Sequence, residues 1–93
     1  MTKNIKTYQD IIAFHPGSYV EDIIEDLNIS QKEFAERLGV SAKTISKIVN
    51  EEESISKDKA NKLAKLTGVS LETWINLQNA FDLKMIEIEN QRN

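Results

Sequence analysis

From Ser30 to Asn50 the chain reads SQKEFAERLGVSAKTISKIVN, and no other stretch restricts the fold as tightly. Ser30 stands three residues before Glu33, the spacing of a capping box in which two side chains satisfy backbone donors at a helix start. Phe34, Ala35 and Leu38 follow at helical spacing. The run stops at Gly39, which reaches positive φ without the clash a Cβ brings. Val40 is placed as a buried plug for the turn. Ser41 is placed to cap a second helix, whose Ile45 and Ile48 return an apolar stripe to the first. The small side chain of Ala35 lets the second helix cross close over the turn, where a larger one would push the pair apart. Two short helices joined by about three residues and crossing steeply make a helix-turn-helix.

The chain has 93 residues, 40% of them apolar, which suits one small domain with additional terminal segments and leaves little room for a large internal cavity. With no cysteine, a disulfide framework and a thiolate metal site are excluded, and a reducing cytoplasm is the expected compartment. No apolar run approaches the roughly 20 residues that span a bilayer, and the first residues lack the apolar core of a signal peptide. A soluble protein with no membrane partner is expected.

A net charge of −3 runs against the cationic excess that releases counterions from DNA. The local distribution is more informative. Residues 30–50 carry Lys32, Arg37, Lys43 and Lys47 against Glu33 and Glu36, a balance of +2, whereas residues 18–29 carry Glu21, Asp22, Glu25 and Asp26 without a base. Two faces follow: a mildly basic one suited to phosphate, and an acidic one suited to solvent or a basic partner.

In chain order, residues 1–14 place Ile5, Tyr8, Ile11, Ile12 and Phe14 roughly along one face of a short helix, which must pack on something or stay disordered. His15-Pro16-Gly17-Ser18 punctuates the chain, and a helix start at Pro16 competes with one at Tyr19, where Ser18 and Glu21 would form a second capping box. Tyr19, Val20, Ile23, Ile24 and Leu27 then form a broad apolar stripe, closed by Asn28. After Asn50 the acidic Glu51-Glu52-Glu53 reads as a loop. Ser56 caps a helix that uses Ala60, Leu63, Ala64 and Leu66 inwardly and ends at Gly68.

Ser70 caps a fifth helix, in which Leu71, Trp74, Gln78, Phe81, Met85 and Ile88 alternate steps of three and four, the spacing of a packing seam. Either this helix continues to about Glu89 and pairs with another subunit, or it breaks after Asp82. The period-two alternation of Ile86 and Ile88 with Glu87 and Glu89 favours the break. The expected architecture is all-α and five-helix: residues 1–14 form an N-terminal segment, 15–83 the helix-turn-helix domain, and 84–93 a C-terminal tail. Leu77, Phe81, Leu83 and Ile86 are the candidates for a dimer surface.

The second helix of such a motif lies in the major groove with its early residues at base edges. That gives Ala42, Lys43, Thr44, Ser46 and Lys47 as base-reading candidates. Lysine donates to guanine O6 and N7, and Ala42 or the Thr44 methyl suits a thymine methyl. Gln31, at the first helix's N-terminus, and Asn50, at the far end of the second, are phosphate candidates. Catalysis finds little support. The sole histidine, His15, beside a turn, fits helix capping or exposure better than acid-base work. Three consecutive glutamates do not converge on a metal, so no metal or cofactor is expected. Trp74 and Phe81 suit core or interface anchoring.

These residues resemble the HigA/VapI family of antitoxins, small helix-turn-helix proteins of the lambda-repressor-like superfamily, from about Phe14 to Leu83. His15-Pro16-Gly17, Ile29-Ser30-Gln31, Leu38-Gly39-Val40-Ser41, Thr44 to Asn50, Leu66 to Ser70 and Trp74-Ile75-Asn76-Leu77-Gln78 carry the likeness. The first and last of these narrow it from the superfamily to the family. The resemblance implies a cytoplasmic homodimer that represses its own operon at a palindromic operator. It also implies a neutralising complex, a heterotetramer, with a HigB toxin of the RelE-like messenger-RNA endonuclease type. Glu21, Asp22 and Glu25 then become toxin-binding candidates by charge, and Ile5, Tyr8 and Ile12 by their position in the N-terminal segment.

The chain departs from the family pattern where glycine often follows the recognition-helix asparagine and arginine often replaces Lys47; here Glu51 opens an acidic triplet. Modest DNA affinity outside the dimer or the toxin-bound assembly is expected. The competing readings are a stand-alone phage-type repressor with no toxin, and an interaction module that has lost DNA binding.

Overall fold

The computed structural model describes residues 5–8 and 11–92, with side chains described from 14 to 90. Five helices form the body: α1 (Pro16–Leu27), α2 (Gln31–Leu38), α3 (Ala42–Val49), α4 (Lys57–Thr67) and α5 (Leu71–Arg92). Ahead of them, β1 (Ile5–Tyr8) and β2 (Ile11–Phe14) pair antiparallel, with Ile5 opposite Phe14 and Tyr8 opposite Ile11. The domain is all-α, as its pattern predicts, and the hairpin is the departure from it. The helix expected within residues 1–14 is replaced because a helix that short is marginal in water. Ile5, Thr7, Tyr8, Ile11, Ile12 and Phe14 are β-branched or aromatic residues suited to a ladder, and β2 packs against α5.

Of the two possible starts for α1, the structure takes Pro16. His15 is the N-cap, its Nδ1 accepting the Gly17 N–H at 2.8 Å, and Pro16 fills a first-turn position where a missing N–H costs nothing. Ser18 builds no capping box with Glu21; its hydroxyl donates to the His15 carbonyl at 2.9 Å. At the other end Asn28 takes the left-handed conformation, φ 56°, and its N–H bonds back to Glu25.

The core joins Val20 and Ile24 of α1, Phe34, Ala35 and Leu38 of α2, Ile45, Ile48 and Val49 of α3, Ile55 just ahead of α4, Ala60 and Leu63 of α4, and Trp74 of α5. Burying each of the larger aliphatic side chains contributes about 2 kcal/mol. Trp74 is 1% exposed, and its indole N–H has no hydrogen-bond partner among the described residues.

Two polar side chains share this interior. His15 lies edge-on to Phe81, ring centroids 4.8 Å apart and planes at 78°. Gln78, 5% exposed, accepts the Ile55 N–H through Oε1 at 2.8 Å and donates through Nε2 to Asp82 at 3.0 Å.

The break expected after Asp82 does not occur, and residues 84–92 are the last turns of α5. No glycine or proline interrupts Leu71–Arg92, and the alternation that suggested a strand also fits a helix. Ile88 is buried while Ile86 stands exposed, and Lys84 pairs with Glu87 one turn on at 3.4 Å.

Candidate nucleic-acid interface

α2 begins at Ser30, whose hydroxyl oxygen accepts the Glu33 N–H at 3.0 Å. The reciprocal half of the expected box is spent elsewhere, since the Glu33 carboxylate takes Arg37 at 2.6 Å one turn along. Arg37 therefore brings a paired cation to this face. Gly39 closes α2 at φ 87°, and the Ala35 carbonyl accepts both the Gly39 and Val40 N–H groups, at 2.9 and 3.0 Å. Ala35 thus serves the turn twice: its carbonyl ties the cap and its small side chain, 1% exposed, admits α3. Val40 is half-buried against the core rather than fully enclosed.

Ser41 caps α3, accepting the Thr44 N–H at 3.1 Å, and its hydroxyl also lies 2.9 Å from the Thr44 hydroxyl. Ile45 and Ile48, both fully buried, and Val49 anchor the inner side of α3. Ala42 and Lys43 are exposed on the opposite side, and Thr44, Ser46 and Lys47 are half-buried. All five base-reading candidates thus belong to α3. Lys43 and Lys47 lie one turn apart, and neither joins an ion pair among the described residues. Gln31 and Asn50 are both exposed, and the Asn50 amide donates to the Ser46 hydroxyl at 3.4 Å.

α3 is held from behind by α1. A Cβ on Gly17 would lie 2.9 Å from the Ile48 carbonyl carbon and closer still to its oxygen, so only glycine lets α1 approach the end of α3 this closely. The chain then leaves α3 through Glu51, a non-glycine residue at φ 65°, while the Glu52 N–H bonds the Lys47 carbonyl at 2.7 Å. The acidic triplet is not a uniform solvated loop. Glu52 is exposed, Glu51 and Glu53 are half-buried, and Glu53 pairs with Lys59 of α4.

The remaining candidates fall on other faces. Asp22 and Glu25 are exposed on α1 and Glu21 is half-buried. The side chains of Ile5, Tyr8 and Ile12 lie outside the described residues. Leu77 and Phe81 line a groove of about 230 Å³ with Phe14, Tyr19, Ala80 and Lys84, whereas Leu83 and Ile86 stand 63% and 56% exposed. The four dimer candidates are therefore divided between two environments. Among the described residues no cluster of three His, Cys, Asp or Glu side chains is arranged to hold a metal, and no helix is long and apolar enough to cross a membrane.

Three features were missed from the sequence: the Gly17 seat for Ile48, the buried Gln78 bridge and the Ser41–Thr44 hydroxyl pair. The last had a signal, because the Ser-x-x-Thr spacing recurs at Ser70 and Thr73.

Residues 20–74 match the helix-turn-helix family HTH_3. The virulence-associated protein I of Dichelobacter nodosus is 36% identical over 80 residues, covering 85% of this chain and 74% of that protein. Among solved structures, an addiction module antidote protein of the HigA family from Coxiella burnetii superposes with a TM-score of 0.81 at 32% identity, over 85% of this chain and 87% of the other. The Pseudomonas aeruginosa antitoxin HigA with the higBA promoter gives a TM-score of 0.79 at 34% identity, over 85% and 87%. With this motif, these relatives and a five-helix body around the α2–α3 pair, the chain belongs to the HTH_3 helix-turn-helix family, among proteins of the HigA/VapI antitoxin type.

Proposed function

We propose that this protein is a sequence-specific DNA-binding autorepressor and the antitoxin of a type II toxin-antitoxin pair, working in the cytoplasm. The outward side of α3 carries the reading. Lys43 and Lys47 stand there one turn apart without a carboxylate partner among the described residues, backed by a core that fixes the helix from behind. The likeness to a HigA with its promoter supports DNA as the ligand. In this reading Ala42, Lys43, Thr44, Ser46 and Lys47 face base edges, and Gln31 and Asn50 hold phosphate.

A homodimer sets two copies of α3 about 34 Å apart to meet successive major grooves. Leu83 and Ile86, the most exposed large apolar side chains of α5, are its first candidates, with Leu77 and Phe81 beside the adjoining groove. The toxin is a basic HigB-type messenger-RNA endonuclease, met by Glu21, Asp22 and Glu25 through opposite potential and by the hairpin residues Ile5, Tyr8 and Ile12. The neutralised state is a heterotetramer.

Co-expression with the adjacent open reading frame tests the pairing, and a mobility-shift titration on the chain's own upstream DNA tests the repressor. A stable complex with suppressed RNase activity and a specific, salt-sensitive shift are expected. A specific shift with no small basic neighbouring gene product would leave a stand-alone repressor. A stable toxin complex without any shift at low salt would leave an interaction module that no longer binds DNA.

A further inference from the structure

The start of α3 holds one side chain whose hydroxyl is drawn back onto the cap of its own helix. Thr44 is tied twice to the residue that caps its helix: its N–H donates to the Ser41 hydroxyl oxygen at 3.1 Å, and its own hydroxyl lies 2.9 Å from the same atom. A β-branched side chain is stiff about χ1, so a hydroxyl drawn back over the cap sends the methyl to a different staggered position. The same pairing occurs at α5, where the Ser70 and Thr73 hydroxyls lie 2.7 Å apart and the Thr73 N–H reaches Ser70 at 3.1 Å. It is thus a capping device in its own right, made within the chain. At α3 the device falls where a recognition helix meets base edges.

We infer that Thr44 acts as a specificity residue through its methyl group, which contacts the 5-methyl of a thymine in the major groove. The inference rests on the DNA-binding reading above. Thymine alone among the four bases presents a methyl there, so an apolar contact at this point separates it from cytosine and from uracil. The hydroxyl contributes to the cap, and replacing it by a second methyl leaves the reading group in place.

The test uses the full chain and duplexes of its own upstream DNA in which each thymine in turn is replaced by deoxyuridine, which pairs identically but lacks the methyl. One thymine in each half-site is expected to weaken wild-type binding about fourfold when so replaced, the loss of one buried methyl-sized group. Thr44→Val is expected to retain that sensitivity and Thr44→Ser to lose it, with thermal melts by circular dichroism establishing that both variants are folded. Unchanged sensitivity in Thr44→Ser would overturn the proposal and move the contact to another residue, Ala42 first. Wild-type binding with no uracil-sensitive position, a measurement that needs no variant, would also overturn it while leaving DNA binding intact. Absence of binding to every duplex would instead remove the DNA-binding reading, and this inference with it.

Discussion

Gly17 of α1 and Ile48 of α3 meet backbone to backbone: the space a Cβ would occupy on Gly17 is taken by the Ile48 carbonyl group. A peptide carbonyl cannot swing aside as the end of a side chain does, so any larger residue must move a helix. The helix it would move carries Lys43 and Lys47.

Gly17→Ala is expected to destabilise the domain by about 3 kcal/mol, the upper part of the range for overpacking. Gly39→Ala provides the contrast. Its Cβ would meet nothing within 4 Å, so only the φ of 87° is strained and about 1 kcal/mol is expected. Urea denaturation of the two variants measures the difference, and equal losses would refute the steric account of Gly17.

Gln78 joins α5 to the segment leading into α4 through a buried acceptor for the Ile55 N–H. Gln78→Leu keeps much of the volume and strands that donor, at an expected loss of about 1–3 kcal/mol. A loss below about 0.5 kcal/mol in the same denaturation experiment would mean that the Ile55 amide finds another partner.

Lys43 and Lys47 are predicted to fail differently. Lys43→Ala is expected to lower operator affinity by about 1–3 kcal/mol with a smaller loss on random duplex, as for a base contact. Lys47→Ala is expected to weaken both duplexes alike and to reduce the slope of log affinity against log salt by about 1, as for a phosphate contact. Fluorescence anisotropy across a salt series separates the two, and identical profiles would cancel the division of labour.

Leu83→Asp and Ile86→Asp place a carboxylate on solvent-exposed positions, 63% and 56% exposed, so the melting temperature of the monomer should change little. Buried in a dimer, either carboxylate would lack a partner and shift the population to monomer. Light scattering during size-exclusion chromatography is the check. A variant that remains as dimeric as the wild type would move the interface elsewhere, towards the groove beside Phe14 and Tyr19.

Legibility in the sequence followed the range of the forces involved. Ser30, Gly39, Ser41, Ser56 and Gly68 marked helix ends because a cap depends on residues three or four apart, and all five cap or close a helix in the structure. The inward stripe of Ile45 and Ile48 was legible for the same reason. Residues 1–14 were not, since helix and strand periods differ little over so few residues and the hairpin depends on packing with α5. The continuation of α5 past Asp82 was misread because a short alternating run fits two periods. Gln78, read as one step of an apolar seam, needed a partner 23 residues away, Ile55, that no local pattern names. Gly17 likewise owes its role to a carbonyl far along the chain. The five base-reading candidates all belong to α3, but their accessibility became visible only once the inner side of that helix was known.

The lone tryptophan, Trp74, sits at the start of α5 with its ring enclosed and no hydrogen bond to its nitrogen among the described residues. Its ultraviolet emission therefore reports on the integrity of the interior while staying insensitive to ligands that touch the outer side of α3. An optical titration in which DNA changes that emission would mean that the interior itself rearranges on binding, and a flat signal would mark a scaffold that receives its ligand without yielding.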